Sequence, residues 1–327
     1  MDKGTIERAR RVLHEAGHIL LLTHERPDGD ALGSLLGMAW MLQATGRRVS
    51  AVSRDGVPSS FRFLPGSESV LDALPAAADV CVLLDCSDAN RVGEFATALP
   101  CPASVNIDHH VTNTHFAEVN LVDAEASATA EVVCELAEAL GLALSPQAAT
   151  CLLTGLVSDT LGFRTSNVGL RTMANARQLM EAGANLPAIV EASLYRRSFA
   201  ATRYWAAGLA RLQREDTLVW TALSLADRAA AGYPGRDDAD LINILSTIEG
   251  TAVAVMFVEQ DLERTKVSWR ARNGADVSAL AARFGGGGHP AAAGATVQGT
   301  LDDVQARVIA ATREWLRAHT PALPGGG

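Results

Sequence analysis

Residues 20–34 read LLLTHERPDGDALGS, and the first half of the chain is organised around this stretch. An apolar run gives way to a helical pattern, and at the change stand His24, Asp28 and Asp30. Gly29 separates the two carboxylates. A glycine with positive φ lets a chain turn sharply enough to aim both at one point. Two carboxylates held close must protonate or find positive charge. One Asp would suffice to N-cap a helix beginning near Ala31. A His and a second Asp in the same turn exceed that need, so the turn is a candidate cation site.

Working outward, short apolar runs alternate with helical patterns, which predicts an α/β fold: a mostly parallel sheet flanked by helices. Strands are expected at His18–Thr23, Arg48–Ser53, Val80–Leu84 and Ser104–Ile107. Helices are expected from Ala31 to Ala44, from Thr129 to Leu140, from Pro146 towards Ser158-Asp159-Thr160, and from Met173 to Ala182. Three strands end in potential ligands: His24 with Asp28 and Asp30, then Asp85, then Asp108-His109-His110. The carboxyl edges of neighbouring parallel strands form one crevice, so these groups are expected to converge, with Asp159 arriving from a helix end. Singly, Asp85 could cap a turn and either His could be a packed imidazole; the coincidence at successive strand ends points to a site. Imidazoles mixed with carboxylates suit Mn²⁺ or Mg²⁺ better than thiophilic metals. So many ligands exceed the need of one ion with open positions. Two ions about 3.5–4 Å apart sharing a carboxylate would suit in-line displacement at phosphorus. His14, His18, His115 and His319 read as surface or packing residues.

The chain has 327 residues, 48% hydrophobic and 20% charged, enough for two globular domains. Its net charge of −9 argues against binding long duplex nucleic acid, which needs a broad basic face. Five cysteines, without a CxxC and mostly in apolar runs, read as buried free thiols in a reducing compartment. The N-terminal residues read as an amphipathic helix without a signal-peptide core, and no apolar run spans a bilayer. The expectation is a cytoplasmic protein with no membrane partner.

Beyond residue 185 the alternation breaks. Residues 186–213 read as a largely helical linker carrying Tyr195-Arg196-Arg197, residues 214–320 as a smaller α+β domain, and residues 321–327 as a disordered tail. Strands are expected at Thr217–Leu223, Ala252–Glu259 and Thr265–Ala271, and helices at Asp237–Ile248, Asp276–Phe284 and Leu301–Arg317. Period-two alternation places Ser268, Arg270 and Arg272 on one strand face. Gly285-Gly286-Gly287-Gly288-His289 reads as a loop whose amides converge on an anion, and with Arg270 and Arg272 it suggests a phosphate or carboxylate grip. No P-loop or dinucleotide fingerprint is present.

These motifs resemble the DHH phosphoesterase superfamily: His24 to Asp30, Asp85, Asp108-His109-His110 and Ser158-Asp159-Thr160. Phe284-GGGG-His289 followed by AAAG resembles the signature of its DHHA1 domain, and the likeness spans nearly the whole chain. Length and domain content look most like the nano-RNase and pAp phosphatase group. The resemblance implies residues 1–185 as the DHH domain, joined by the linker to DHHA1. It implies two Mn²⁺ ions, with Mg²⁺ or Co²⁺ as substitutes. His24 and Asp28 would hold one ion, Asp30, His109 and Asp159 the other, and Asp85 would bridge them. His110 would face the scissile phosphate, with Asp108 orienting the histidines. Arg270, Gly286, Gly287, Gly288 and His289 would bind substrate, and the strand-face reading adds Arg272. Implied substrates are short RNA oligonucleotides, cut to mononucleotides, and pAp, converted to AMP; a homodimer is the family-level expectation. Alternatives are a phosphodiesterase for linear or cyclic dinucleotides (pApA, c-di-AMP), a family II-like inorganic pyrophosphatase, and a noncatalytic nucleotide-sensing module.

Overall fold

In the computed structural model, which describes residues 1–272 and 275–319, the inner strands of the first sheet are covered on both faces. This is why they read as unbroken apolar runs. The first of two units, Met1–Arg196, comprises α1 (Lys3–Glu15), β1 (His18–Leu22), α2 (Gly29–Gln43), β2 (Arg48–Val52), β3 (Val80–Leu84), β4 (Ala103–Asp108), β5 (Val119–Val122), α3 (Thr129–Ala139), α4 (Pro146–Asp159), α5 (Leu170–Glu181) and α6 (Leu186–Val190). The sheet order is β2-β1-β3-β4-β5, parallel throughout. Ile19, Leu21, Val82 and Leu84 enter the core built by the helices. Leu20, Leu22, Cys81 and Leu83 pack on the opposite face with Val52 and Val92. Burying each such Leu or Ile side chain contributes about 1.5–3 kcal/mol.

Strand order reverses between β1 and β3, so their crossovers leave in opposite directions and open a crevice at their carboxyl ends. That crevice receives His24 and Asp85. α2 and α4 cross very close to it. A Cβ on Gly33 would lie 2.5 Å from the Cys151 carbonyl oxygen, and one on Gly155 would lie 2.7 Å from Asp30 Oδ1. The missing side chains let α4 approach and deliver Asp159.

The second unit begins at Arg197. It comprises α7 (Phe199–Ala210), β6 (Gln213–Glu215), β7 (Leu218–Leu223), α8 (Leu225–Ala231), α9 (Leu241–Leu245), β8 (Val253–Asp261), β9 (Arg264–Ala271), α10 (Ser278–Ala282), β10 (Gly287–His289), β11 (Ala292–Gln298) and α11 (Leu301–His319). Its sheet, β10-β11-β9-β8-β7-β6, is mixed: β7 and β8 are parallel and the other pairs antiparallel. Trp220, Val255 and Trp269 pack on one face with Val304 and Val308 of α11, while Val219, Ala254 and Met256 pack on the other with Tyr204 of α7 and Leu241 of α9.

Several expectations change. Gly29 is not in the left-handed region; it opens α2. What demands glycine there is Ser158, whose Oγ would lie 2.4 Å from a Cβ. The helix expected at Asp237–Ile248 shrinks to α9, because Ala239 (φ 51°) and Asp240 (φ 66°) are left-handed. The glycine run is not simply a loop: Gly287–His289 pairs with β11, and a Cβ on Gly288 would lie 2.5 Å from the Ala292 carbonyl oxygen. β11 itself escapes a propensity-based reading because small residues fill it, yet Ala293, Ala295 and Val297 alternate inward. Cys86, Cys134 and Cys151 are buried thiols, but Cys81 and Cys101 form a disulfide across neighbouring chain segments, against the expectation of free thiols. No helix among the described residues is long and apolar enough to cross a membrane. The tail expected at 321–327 lies outside the described residues.

Candidate metal centre

The His24 loop leaves β1 through Arg26, in the left-handed region at φ 54°, and Pro27 before entering α2. Asp28 Oδ1 accepts from the amides of Asp30 and Ala31, both at 3.0 Å, so it caps α2 while belonging to the ligand turn. The other proposed ligands arrive from the ends of β3, β4 and α4. Three groups of side chains place potential ligand atoms within 4.8 Å of one another: His24, Asp28 and Asp85; Asp30, His109 and Asp159; and Asp85, His109 and His110. Asp85 belongs to two of these groups.

The orientation of the imidazoles tests whether the set fits a metal. His24 Nδ1 bonds the Glu25 carbonyl at 2.8 Å, and Nε2 lies 3.3 Å from Asp85 Oδ2. His109 Nδ1 bonds the Ala126 carbonyl at 3.3 Å, and Nε2 lies 3.6 Å from Asp159, 3.8 Å from Asp85 and 4.0 Å from Asp30. In both rings the outward nitrogen donates to a carbonyl, which selects the tautomer that turns an Nε2 lone pair inward, as a ligating histidine requires. His110 differs: its Nδ1 donates to Asp108 Oδ1 at 2.7 Å.

The charges are unbalanced without a cation. Among the described residues, the ion pairs of Asp30, Asp85 and Asp159 are all with histidine. Burial, reinforced by Asp85 and Asp159, pushes the Asp30 carboxyl well up. Burial likewise lifts Asp159 to about 7, against the pull of His109. Burial lowers the basicity of His24, but the Asp85 hydrogen bond and charge outweigh it and raise the imidazole to about 9. For His109, burial is outweighed by Asp30, Asp85 and Asp159, again giving about 9. For Asp85, burial is overcome by the His24 hydrogen bond and the nearby imidazoles, which hold it ionised. Such a set holds protons in place of the cations its geometry suits.

Sequence reasoning missed several groups that hold these ligands. Asp30 accepts from the amides of Thr129 (2.6 Å) and Ala130 (2.9 Å) at the start of α3, and from Ser34 Oγ at 3.3 Å. The Thr129 hydroxyl donates to Asp85 Oδ1 at 2.8 Å. Asn113 Nδ2 donates to Asp108 Oδ2 at 2.6 Å and to Asn106 Oδ1 at 2.8 Å, fixing the carboxylate that holds His110. Their only trace in the sequence is polarity beside the motifs, and Thr129 reads simply as the start of a helix.

The substrate residues expected in the second unit lie on two strands, β9 and β10, and their ends, with β11 between them. Arg270 in β9 is half-buried and donates to Asn243 Oδ1 at 3.3 Å and to the Trp269 carbonyl at 3.1 Å. It is paired in register with Ala292 of β11, which is paired with His289 of β10. Gly286 precedes β10, which contains Gly287 and Gly288, while exposed Arg272 follows the end of β9. The side chain of His289 lies outside the described residues.

This architecture matches known proteins along nearly its whole length. Residues 18–156 match the DHH family, N-terminal domain, and residues 227–318 match the DHHA1 domain. The bifunctional oligoribonuclease and PAP phosphatase NrnA of Thermus thermophilus is 34% identical, covering 92% of this chain and 90% of its own. The cyclic-di-AMP phosphodiesterase GdpP of Geobacillus thermodenitrificans is 26% identical over 98% of this chain and 52% of its own. The fold is shared with an exopolyphosphatase-related protein from Bacteroides fragilis, at a TM-score of 0.89, 24% identity and 97% coverage of both chains. The chain belongs to the DHH phosphoesterase family, in the NrnA-like group that couples a DHH domain to a DHHA1 domain. Proteins of this family are metal-dependent hydrolases of phosphoester bonds.

Proposed function

We propose that the protein is a two-ion phosphoesterase that cuts very short oligoribonucleotides to mononucleotides and converts pAp to AMP in the cytoplasm. The observation that carries this reading is that Asp85, at the strand-order reversal, groups with His24 and Asp28 on one side and with His109 and His110 on the other, while His109 also groups with Asp30 and Asp159. His24 and Asp28 would hold one ion, Asp30, His109 and Asp159 the other, and Asp85 would bridge them. Four carboxylates then balance two divalent cations, which accounts for an acidic set with no Lys or Arg ion pairs among the described residues. The oxygen-rich ligands favour Mn²⁺, with Mg²⁺ or Co²⁺ as substitutes. When bound, such ions supply positive charge that activates water and stabilises the entering and leaving oxygens at phosphorus.

The chain's own groups do the rest. Asp108, fixed by Asn113, keeps a proton on His110 Nδ1 and sets the plane of the ring beside Asp85. His110 thereby serves as a polar contact to the scissile phosphate or the departing oxygen. Arg270, Arg272, Gly286, Gly287, Gly288 and His289 are proposed to grip a substrate phosphate, which favours substrates only a few nucleotides long. The names of the NrnA relatives support this substrate class. The GdpP relative makes a dinucleotide the informative second substrate.

The test is hydrolysis of pAp, pApA, c-di-AMP and pyrophosphate by metal-stripped protein, followed by Mn²⁺ titration. Activity is expected on pAp and pApA, restored by Mn²⁺ and abolished by chelator. Undiminished cleavage in excess EDTA would overturn the two-ion reading, and activity confined to pyrophosphate would overturn the substrate class.

A further inference from the structure

Thr129 touches both Asp30 and Asp85, a position that motif reading does not single out. Its amide donates to Asp30 Oδ2 at 2.6 Å, and its hydroxyl donates to Asp85 Oδ1 at 2.8 Å. The next amide, of Ala130, takes the other Asp30 oxygen at 2.9 Å. The first turn of α3 therefore fixes Asp30 through both oxygens, and Thr129 is fully buried. Asp85 needs such a holder. It sits in the left-handed region at φ 60°, an unfavourable conformation for a non-glycine residue that surrounding contacts must maintain.

The two oxygens of Asp85 face different partners. Oδ2 lies 3.3 Å from His24 Nε2 in the first group. Oδ1 lies 3.8 Å from His109 Nε2 in the second group and 3.6 Å from His110 Nδ1. The Thr129 hydroxyl is bonded to Oδ1. A β-branched side chain at a helix start has few rotamers, so this donor is stiffly placed. The bond is charge-assisted and shielded from water, which strengthens its hold.

We infer that Thr129 is a positioning residue that assembles the second ion site selectively, by orienting Asp85 Oδ1 towards Asp30 and His109. The first site, set by His24, Asp28 and Asp85 Oδ2, does not depend on this hydroxyl. The inference rests on the two-ion reading above, and its test separates the two. Removing a hydrogen bond that orients a metal ligand typically costs about 10- to 100-fold in metal affinity.

The experiment compares full-length wild type, Thr129→Val and Thr129→Ser, each stripped of metal and titrated with Mn²⁺ alone. Bound Mn²⁺ is counted by equilibrium dialysis, and the pair is followed by its spin-coupled electron paramagnetic resonance signal. Wild type is expected to bind two ions per chain. Thr129→Val is expected to keep the first ion near wild-type affinity, to bind the second about 10- to 100-fold more weakly, and to show an isolated-ion spectrum at moderate Mn²⁺. Thr129→Ser restores the hydroxyl and is expected to restore the coupled pair. Should the valine variant not fold, Thr129→Ala removes the hydroxyl without placing a methyl against the acid. Equal weakening of both ions, an unchanged second ion, or no rescue by serine overturns the role of Thr129 while leaving the two-ion reading intact. Failure of wild type to bind a second ion overturns that reading, and this inference with it.

Discussion

The two units handle charge in opposite ways. In the first, both faces of the sheet are buried, so polar residues are driven to the strand ends, where Asp85 meets histidines together with Asp30 of α2 and Asp159 at the end of α4. In the second, polar residues run along a strand: Lys266, Ser268 and Arg270 are half-buried beside buried Thr265, Val267 and Trp269. Several of its cations are matched by acids, as in Arg197 with Asp240, Arg211 with Asp227 and Arg313 with Glu215. An unbalanced acidic cluster stores a demand for cations, whereas a paired surface does not. Chemistry is proposed for the first unit and phosphate binding for the second.

The largest expected effect attacks that concentration. Asp85→Asn removes the charge proposed to bridge the two ions, so kcat/KM should fall on the order of 10⁴-fold, with both ions bound more weakly. Metal analysis alongside turnover checks this. A variant that retains two tightly bound ions would show that Asp85 is not a bridge.

Protonation offers a second break. A ligand must lose its proton to bind metal, and His24 and His109 are raised to about 9 while Asp159 is raised to about 7. Lower pH keeps these protons on and opposes the cation. Affinity for each ion should therefore rise with pH, by roughly 100-fold between pH 7 and pH 9, and flatten above. Calorimetry in buffers of different ionisation enthalpy reads the released protons; no release at pH 7 would contradict the assigned ligands.

The second unit is tested by His289→Ala. If it grips only phosphate, metal content should be unchanged and kcat/KM for pApA should fall about 10- to 100-fold, the worth of a hydrogen bond to a charged group. A minimal activated phosphodiester should lose little. Equal loss on both substrates would place the glycine strand in the catalytic centre and erase the contrast between units.

The smallest effect probes the support behind His110. Asn113→Ala leaves Asp108 without one of its holders, so kcat should drop by about tenfold with KM little changed. An effect on KM alone would assign Asn113 to substrate binding instead.

The sequence by itself determined where four of the five parallel strands of the first sheet lie, missing only short β5, and that strand ends carry ligands. A doubly covered strand must be apolar throughout, and a polar residue closing it is conspicuous: Val80–Leu84 ending at Asp85 is the clearest case. It also exposed the longer helices, whose patterns and caps are local. It did not reveal β10 and β11, where small residues carry no strand preference and pairing alone makes them extended. Nor did it reveal Thr129, Asn113 or the close crossing of α2 and α4. Those depend on which residues 44 or 99 positions apart are brought within hydrogen-bond reach, as Thr129 is to Asp85 and to Asp30. Local periodicity encodes elements because backbone geometry repeats, but the donors that hold a ligand are set by packing between elements, and only the tertiary structure decides them.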